Sequence, residues 1–163
     1  MGRWLRGMVA FGLAAILAGC AAPPAPPPPT VVKLTLSASA DVNPDPAGAA
    51  APVVVRVYQL GSTSGFDAAE FFQIFNQDQA TLKTDLIKRD DFLLAPGQTK
   101  TTTLQPTDQV KAIGIFAAYR NFQPVIWRAD AEVPPHKTTV LTVTAGRTGV
   151  VVKSAAPAAQ PAS

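Results

Sequence analysis

Residues 31–39 read VVKLTLSAS and residues 53–60 read VVVRVYQL. In the first stretch Val32, Leu34, Leu36 and Ala38 alternate with Lys33, Thr35, Ser37 and Ser39. Successive side chains of a strand point to opposite faces, so this pattern predicts a strand with one buried and one wet face. The second stretch predicts a more fully buried strand. Working outward, the same Val, Ile, Thr and Phe vocabulary recurs at 91–94, 99–104, 110–119, 125–133, 138–144 and 149–153, which makes eight strands. They lack the βαβ spacing of a parallel sheet. The expected fold is therefore mainly β, an antiparallel two-layer β-sandwich. Pro96-Gly97 suits a reverse turn and predicts a hairpin of the third and fourth strands, and Pro134-Pro135 separates the sixth from the seventh.

One short helix is expected as an insertion, at 68–75. Asp67 is placed to cap its first amides, with Glu70 returning the interaction and Phe66 and Phe71 at the staple positions. Phe71, Ile74 and Phe75 then share one face that packs on the sheet. Phe66, Phe71, Phe72 and Phe75 gather four of the eight phenylalanines here, and core packing explains them.

The chain of 163 residues is 47% hydrophobic and 15% charged, which suits one small domain with unfolded extensions. Its net charge of +3 comes from scattered basic residues, which argues against a nucleic-acid partner. A single cysteine excludes an internal disulfide and any four-cysteine metal site. Arg3 and Arg6 precede an apolar and small-residue run at 7–18, too short for the ~20 residues that span a bilayer. Residues 1–19 are thus a cleaved export signal. Leu17-Ala18-Gly19-Cys20 resembles the lipobox of bacterial lipoproteins, which implies cleavage before Cys20 and acylation there. Each buried methylene contributes about 0.8 kcal/mol, so two or more acyl chains anchor durably. Ala21 after that cysteine, by resemblance to sorting signals, points to the periplasmic face of the outer membrane.

Residues 20–30 are read as the lipidated cysteine and a Pro-rich tether, with Pro23, Pro24 and Pro26 to Pro29 favouring extended polyproline II. At about 3.1 Å per residue, positions 21–30 reach roughly 30 Å from the lipid. The sandwich domain is assigned to 31–153 and a disordered tail to 154–163.

Chemistry is sparse. His136, the single histidine, sits at a probable turn with no partner, and Gly61-Ser62-Thr63-Ser64-Gly65 has Thr63 where a nucleophile elbow needs serine. Asp90 and Asp91 point to opposite faces and read as solvated. Asp41, Asn43 and Asp45 match the opening of a calcium loop, but Pro46 and Pro52 replace its glycine and its glutamate. No catalytic residue, metal or cofactor is assigned beyond covalent lipid on Cys20. The segment 41–52, comprising Asp41, Val42, Asn43, Pro44, Asp45, Pro46, Ala47, Gly48, Ala49, Ala50, Ala51 and Pro52, is instead a protruding loop stiffened by proline. A loop already restricted loses less entropy on docking.

These features together resemble the TssJ family, the outer-membrane lipoprotein of the bacterial type VI secretion system. The resemblance rests on the lipobox, Asn43-Pro44-Asp45, Val57-Tyr58-Gln59-Leu60, Phe66 with Glu70-Phe71-Phe72, Asp85-Leu86, Pro96-Gly97, Ala117-Ala118-Tyr119-Arg120 and Trp127-Arg128. It implies a transthyretin-like sandwich and a non-catalytic role in a multimeric membrane complex. It further implies that loop 41–52 binds the periplasmic C-terminal region of the inner-membrane component TssM. Tyr119, Arg120, Trp127 and Arg128 admit two readings, an exposed recognition patch or a core tryptophan with arginines at strand ends, and burial tendencies favour the second. The alternative function is a lipoprotein holding a small molecule or cell-wall fragment near the helix.

Overall fold

The structure, a computed structural model, describes residues 25–155. The export signal 1–19, Cys20, the tether up to residue 24 and the tail 156–163 lie outside the described residues. Eight strands form: β1 Val31–Ala38, β2 Val53–Leu60, β3 Leu86–Leu94, β4 Thr99–Leu104, β5 Ala112–Ala117, β6 Arg128–Glu132, β7 Thr138–Gly146 and β8 Gly149–Ala155. Helices α1 Ser64–Ala68 and α2 Phe71–Leu82 lie between β2 and β3. The strands make two four-stranded sheets, ordered β4-β1-β7-β8 and β3-β2-β5-β6. Every pairing of named strands is antiparallel except β1 with β7, which run parallel from Val31 opposite Thr138 to Ala38 opposite Ala145. The sandwich expected from alternation is present with that one exception.

Between the sheets, Val32, Leu34 and Leu36 of β1 meet Val53, Val55 and Val57 of β2 and Ile113 and Ile115 of β5, all essentially without solvent contact. Because side chains alternate, the other face of β2 and β5 presents Tyr58, Leu60 and Phe116, and the helices cover these with Phe66, Phe71, Ile74 and Leu82. A third layer thus lies on one sheet only. Gly114 makes its close approach feasible: a Cβ there would stand 2.8 Å from Leu60 Cδ1 and 3.2 Å from the Phe66 ring.

The helical insertion is larger than the expected 68–75 segment. Asp67 falls inside α1, and Glu70, not Asp67, caps α2, its N–H donating to Gln73 Oε1 at 2.8 Å. Phe66 and Phe71 are therefore not a staple pair, although both are buried in one cluster. The helix continues past Phe75 because Ile74, Asp78 and Leu82 fall on one buried stripe, and an aspartate in that register masks the pattern. Phe75, expected inside, is 40% exposed.

The predicted hairpin of β3 and β4 does not form. Its turn does: Gln98 N–H donates to Ala95 C=O at 2.9 Å and Gly97 takes φ 76°. That turn carries the chain from one sheet to the other, since turn chemistry reverses direction whereas burial chooses partners. Strand β3 begins at Leu86 and not at 91, its first half hidden behind Lys88, Arg89, Asp90 and Asp91. Charges on an edge strand discourage pairing with another chain. Asp90 and Asp91 are not simply solvated, because Lys88 stands 3.3 Å from Asp90 and Arg89 3.1 Å from Asp91. Strands β5 and β6 are shorter than 110–119 and 125–133, leaving 118–127 as a loop, and β8 runs two residues beyond the expected domain end at Lys153.

Candidate docking surface

Loop 41–52 leaves β1 and returns to β2 as a small hairpin. Ala51 N–H donates to Val42 C=O at 3.1 Å and Asp45 N–H to Ala49 C=O at 2.8 Å. The tip is a turn in which Gly48 N–H donates to Asp45 C=O at 2.9 Å, with Pro46 at the position where its fixed φ fits and Gly48 at φ 87°. Asp45 Oδ1 accepts from both Ala47 N–H and Ala49 N–H at 2.9 Å, and Asp41 Oδ1 accepts from Ser39 at 2.6 Å. The oxygens that resembled the start of a calcium loop are thus engaged with the protein's own donors. Among the described residues no group of three His, Cys, Asp or Glu side chains gathers.

The structure divides the twelve loop residues by role. Val42 and Ala51 enter the sandwich core, and Asn43 is 4% exposed. Asn43 Nδ2 donates to Pro52 C=O and its Oδ1 accepts from Arg120 N–H, both at 2.8 Å, so it ties the loop's two legs to the 118–127 loop. Pro46, Ala47, Gly48, Ala49 and Ala50 are exposed at the tip.

Beside the hairpin lies a cleft of about 740 Å³, between Pro44 to Pro46, the loop residues Tyr119 to Asn121 with Pro124, and the Arg147-Thr148 turn. Tyr119 is buried and donates its hydroxyl to Gly146 C=O at 2.9 Å, and burial raises its pKa. Ile126 N–H donates to Thr148 C=O and Val150 N–H to Ile126 C=O, which fastens the two sheets at this edge. The 118–127 loop is held from the other side by Phe122, stacked on Phe71 with ring centroids 4.1 Å apart.

Trp127 and Arg128 do not form an exposed patch. Trp127 stands edge-on to Phe71 at 5.3 Å, Arg128 lies 4.6 Å over the Trp127 ring, and its guanidinium donates to the carbonyls of Phe66 and Ala69 at the end of α1. The tryptophan packs in the outer aromatic layer and not at the centre of the sandwich. Under α2, Arg56 donates to the carbonyls of Ile74 and Phe75, which the non-helical Gln77 leaves without helical partners. Asp78 accepts from Arg89 at 2.7 Å and from the Tyr58 hydroxyl at 3.0 Å. Burial alone would raise the Asp78 pKa, but these donors outweigh it and hold the carboxyl below its usual range. Sequence reasoning missed this network; Asp78 at helical spacing from Ile74 and Leu82 was its only signal.

At the opposite pole Thr30 is buried, and His136 N–H donates to its hydroxyl at 2.9 Å. His136 Nδ1 lies 3.1 Å from Pro28 C=O. The lone histidine therefore holds Pro28 and Thr30, in the segment read as a tether, against the start of β1. The inner faces of α1 and α2 are filled by Phe66, Phe71, Ile74 and Leu82, and the cleft described above lies at the loop pole, away from them. No described helix is long and apolar enough to cross a membrane.

A family model described as "Type VI secretion lipoprotein, VasD, EvfM, TssJ, VC_A0113" matches residues 30–148. The chain is similar to the T6SS lipoprotein TssJ1 from Pseudomonas aeruginosa, at 35% identity and a TM-score of 0.77, covering 81% of this chain and 100% of that one. It is also similar to Serratia marcescens Lip, described as a membrane bound component of the Type VI Secretion System, at 28% identity and 0.71, covering 77% and 98%. A chain in a structure described as the T6SS protein TssM C-terminal domain from EAEC matches at 25% identity and 0.61, covering 76% and 98%. No curated protein matches in sequence.

Proposed function

The chain belongs to the TssJ family of type VI secretion lipoproteins, and on that premise we propose that its loop pole docks the periplasmic C-terminal region of TssM. In the same proposal acyl chains on Cys20 hold the other pole at the outer membrane. As a member of that family the protein is a structural component of the secretion system and not an enzyme.

The observation that carries the reading is the polarity of the domain. Strand β1 starts at Val31, directly after the buried Thr30 on the tether side, and ends at Ala38, three residues before loop 41–52. Eight strand residues at about 3.3 Å each set the loop roughly 26 Å beyond the tether. A rigid tip at the end remote from the anchor suits a contact made away from the lipid surface.

The test is capture of the TssM periplasmic region by the mature chain, comparing wild type with the tip variant Ala47→Asp/Ala50→Asp. Both positions are exposed, so the fold survives, and an unchanged melting curve checks this. Wild type is expected to retain TssM and the tip variant to lose it; equal retention by both removes the loop from the interface.

A further inference from the structure

Five arginines lie in the described residues. Three are fastened by partners within the chain: Arg56 to the α2 carbonyls, Arg89 to Asp78 and Asp91, and Arg128 to the α1 carbonyls. The remaining two, Arg120 and Arg147, are exposed and have no carboxylate partner among the described residues. Both line the cleft beside the docking loop.

Resting on the docking reading, we infer that this cleft seats an extended acidic segment of the partner protein, its carboxylates received by Arg120 and Arg147. Several of the cleft's own donors are spent or missing. Pro44, Pro46 and Pro124 contribute no N–H, Arg120 N–H is given to Asn43, and the Tyr119 hydroxyl is given to Gly146. Besides the neutral Asn121 amide and Thr148 hydroxyl, the two guanidinium forks remain to recognise a ligand, and they are the only cations in the lining; a planar fork matches a carboxylate. One acidic residue, Asp45, lines the cleft, and its Oδ1 already accepts two amides. Two cations against one engaged carboxylate leave the cleft positive.

Both arginines spring from backbone that is held in place. Arg120 is set by the Asn43 bond, and Arg147 sits in a turn braced by Tyr119 to Gly146 and by Ile126 to Thr148. Held bases lose less freedom on binding. A volume of about 740 Å³ is within the range of ligand clefts. Lipid phosphate would satisfy the same forks, but the cleft lies at the pole away from Thr30 and the tether, which favours a protein segment.

The experiment uses the mature full-length chain in detergent, as wild type, as Arg120→Gln/Arg147→Gln and as the tip variant. TssM capture should fall about tenfold or more in the arginine variant, as expected when charged hydrogen bonds are lost, and raised salt should weaken what remains. If the arginine variant captures TssM as wild type does while the tip variant does not, the acidic-segment inference is overturned and the docking reading stands. If wild type captures no TssM, the docking reading falls, and a short labelled Asp-Ser repeat peptide decides the cleft by itself. Tighter binding than its Asn-Ser counterpart, abolished in the arginine variant, supports the inference. Equal binding, no binding, or displacement by phosphatidylglycerol added as mixed micelles in the same detergent overturns it.

Discussion

Replacing Asn43 separates two contributions that the sequence motif blends. Asn43→Ala removes the donor to Pro52 C=O and the acceptor for Arg120 N–H, both 2.8 Å bonds of a residue 4% exposed. Leaving a buried partner unsatisfied costs about 1–3 kcal/mol; both partners are only partly enclosed, so about 1 kcal/mol each, or roughly 2 together, is expected. Asn43 also sits at φ 47°, a region that costs an alanine about 1–2 kcal/mol and glycine nothing. Asn43→Ala is therefore expected to lose about 3–4 kcal/mol, and Asn43→Gly about 2 plus a smaller entropic penalty of the flexible chain. Urea unfolding of the mature chain measures both, with unchanged slope as the check that only stability moved. A loss under about 0.5 kcal/mol in the alanine variant would be that of an ordinary surface change and would refute the fastening role. Identical losses in the alanine and glycine variants would refute the backbone part alone.

Gly114→Ala should destabilise by about 1–3 kcal/mol as the new methyl pushes Leu60 and Phe66 aside, read by thermal unfolding; a neutral result would mean that the outer layer packs loosely. Asp78→Asn should destabilise at neutral pH by about 2–3 kcal/mol through weakened bonds to Arg89 and Tyr58. The Asp78 pKa is depressed in the fold, so its contribution is complete above the unfolded value near 3.9 and is lost as pH falls through the folded value. The gap between wild type and variant should accordingly close in acid, and a pH-independent gap would contradict the ionic account. Cys20→Ser should move the protein from the membrane to the soluble periplasmic fraction, which fractionation checks; continued sedimentation with membranes would refute lipid anchoring at that residue.

Legibility followed the physics of each element. Strands β1, β2 and β4 could be read with one or both ends in place because alternation and flanking turn residues are local signals. The first half of β3 escaped because it carries the charges of an edge, and the second half of α2 escaped because its buried stripe includes Asp78. Pairing was not legible: Pro96-Gly97 names a turn, whereas the choice of sheet is made by side chains far away in sequence. For the candidate site, the place and stiffness of loop 41–52 were visible in its prolines, but the division into core Val42, fastening Asn43 and exposed tip required Pro52 and Arg120 to be brought beside Asn43. The unpartnered state of Arg120 and Arg147 was illegible for the same reason.

The parallel pairing of β1 with β7 carries a mechanical consequence. In the proposed arrangement a pull between the lipid side and loop 41–52 would enter and leave the domain through the two ends of β1, clasped by β4 on one edge and β7 on the other. A strand already extended passes such a pull along its own covalent backbone, with little load on the hydrogen bonds beside it, so the sandwich should stay folded under a force that unzips β8 from β7.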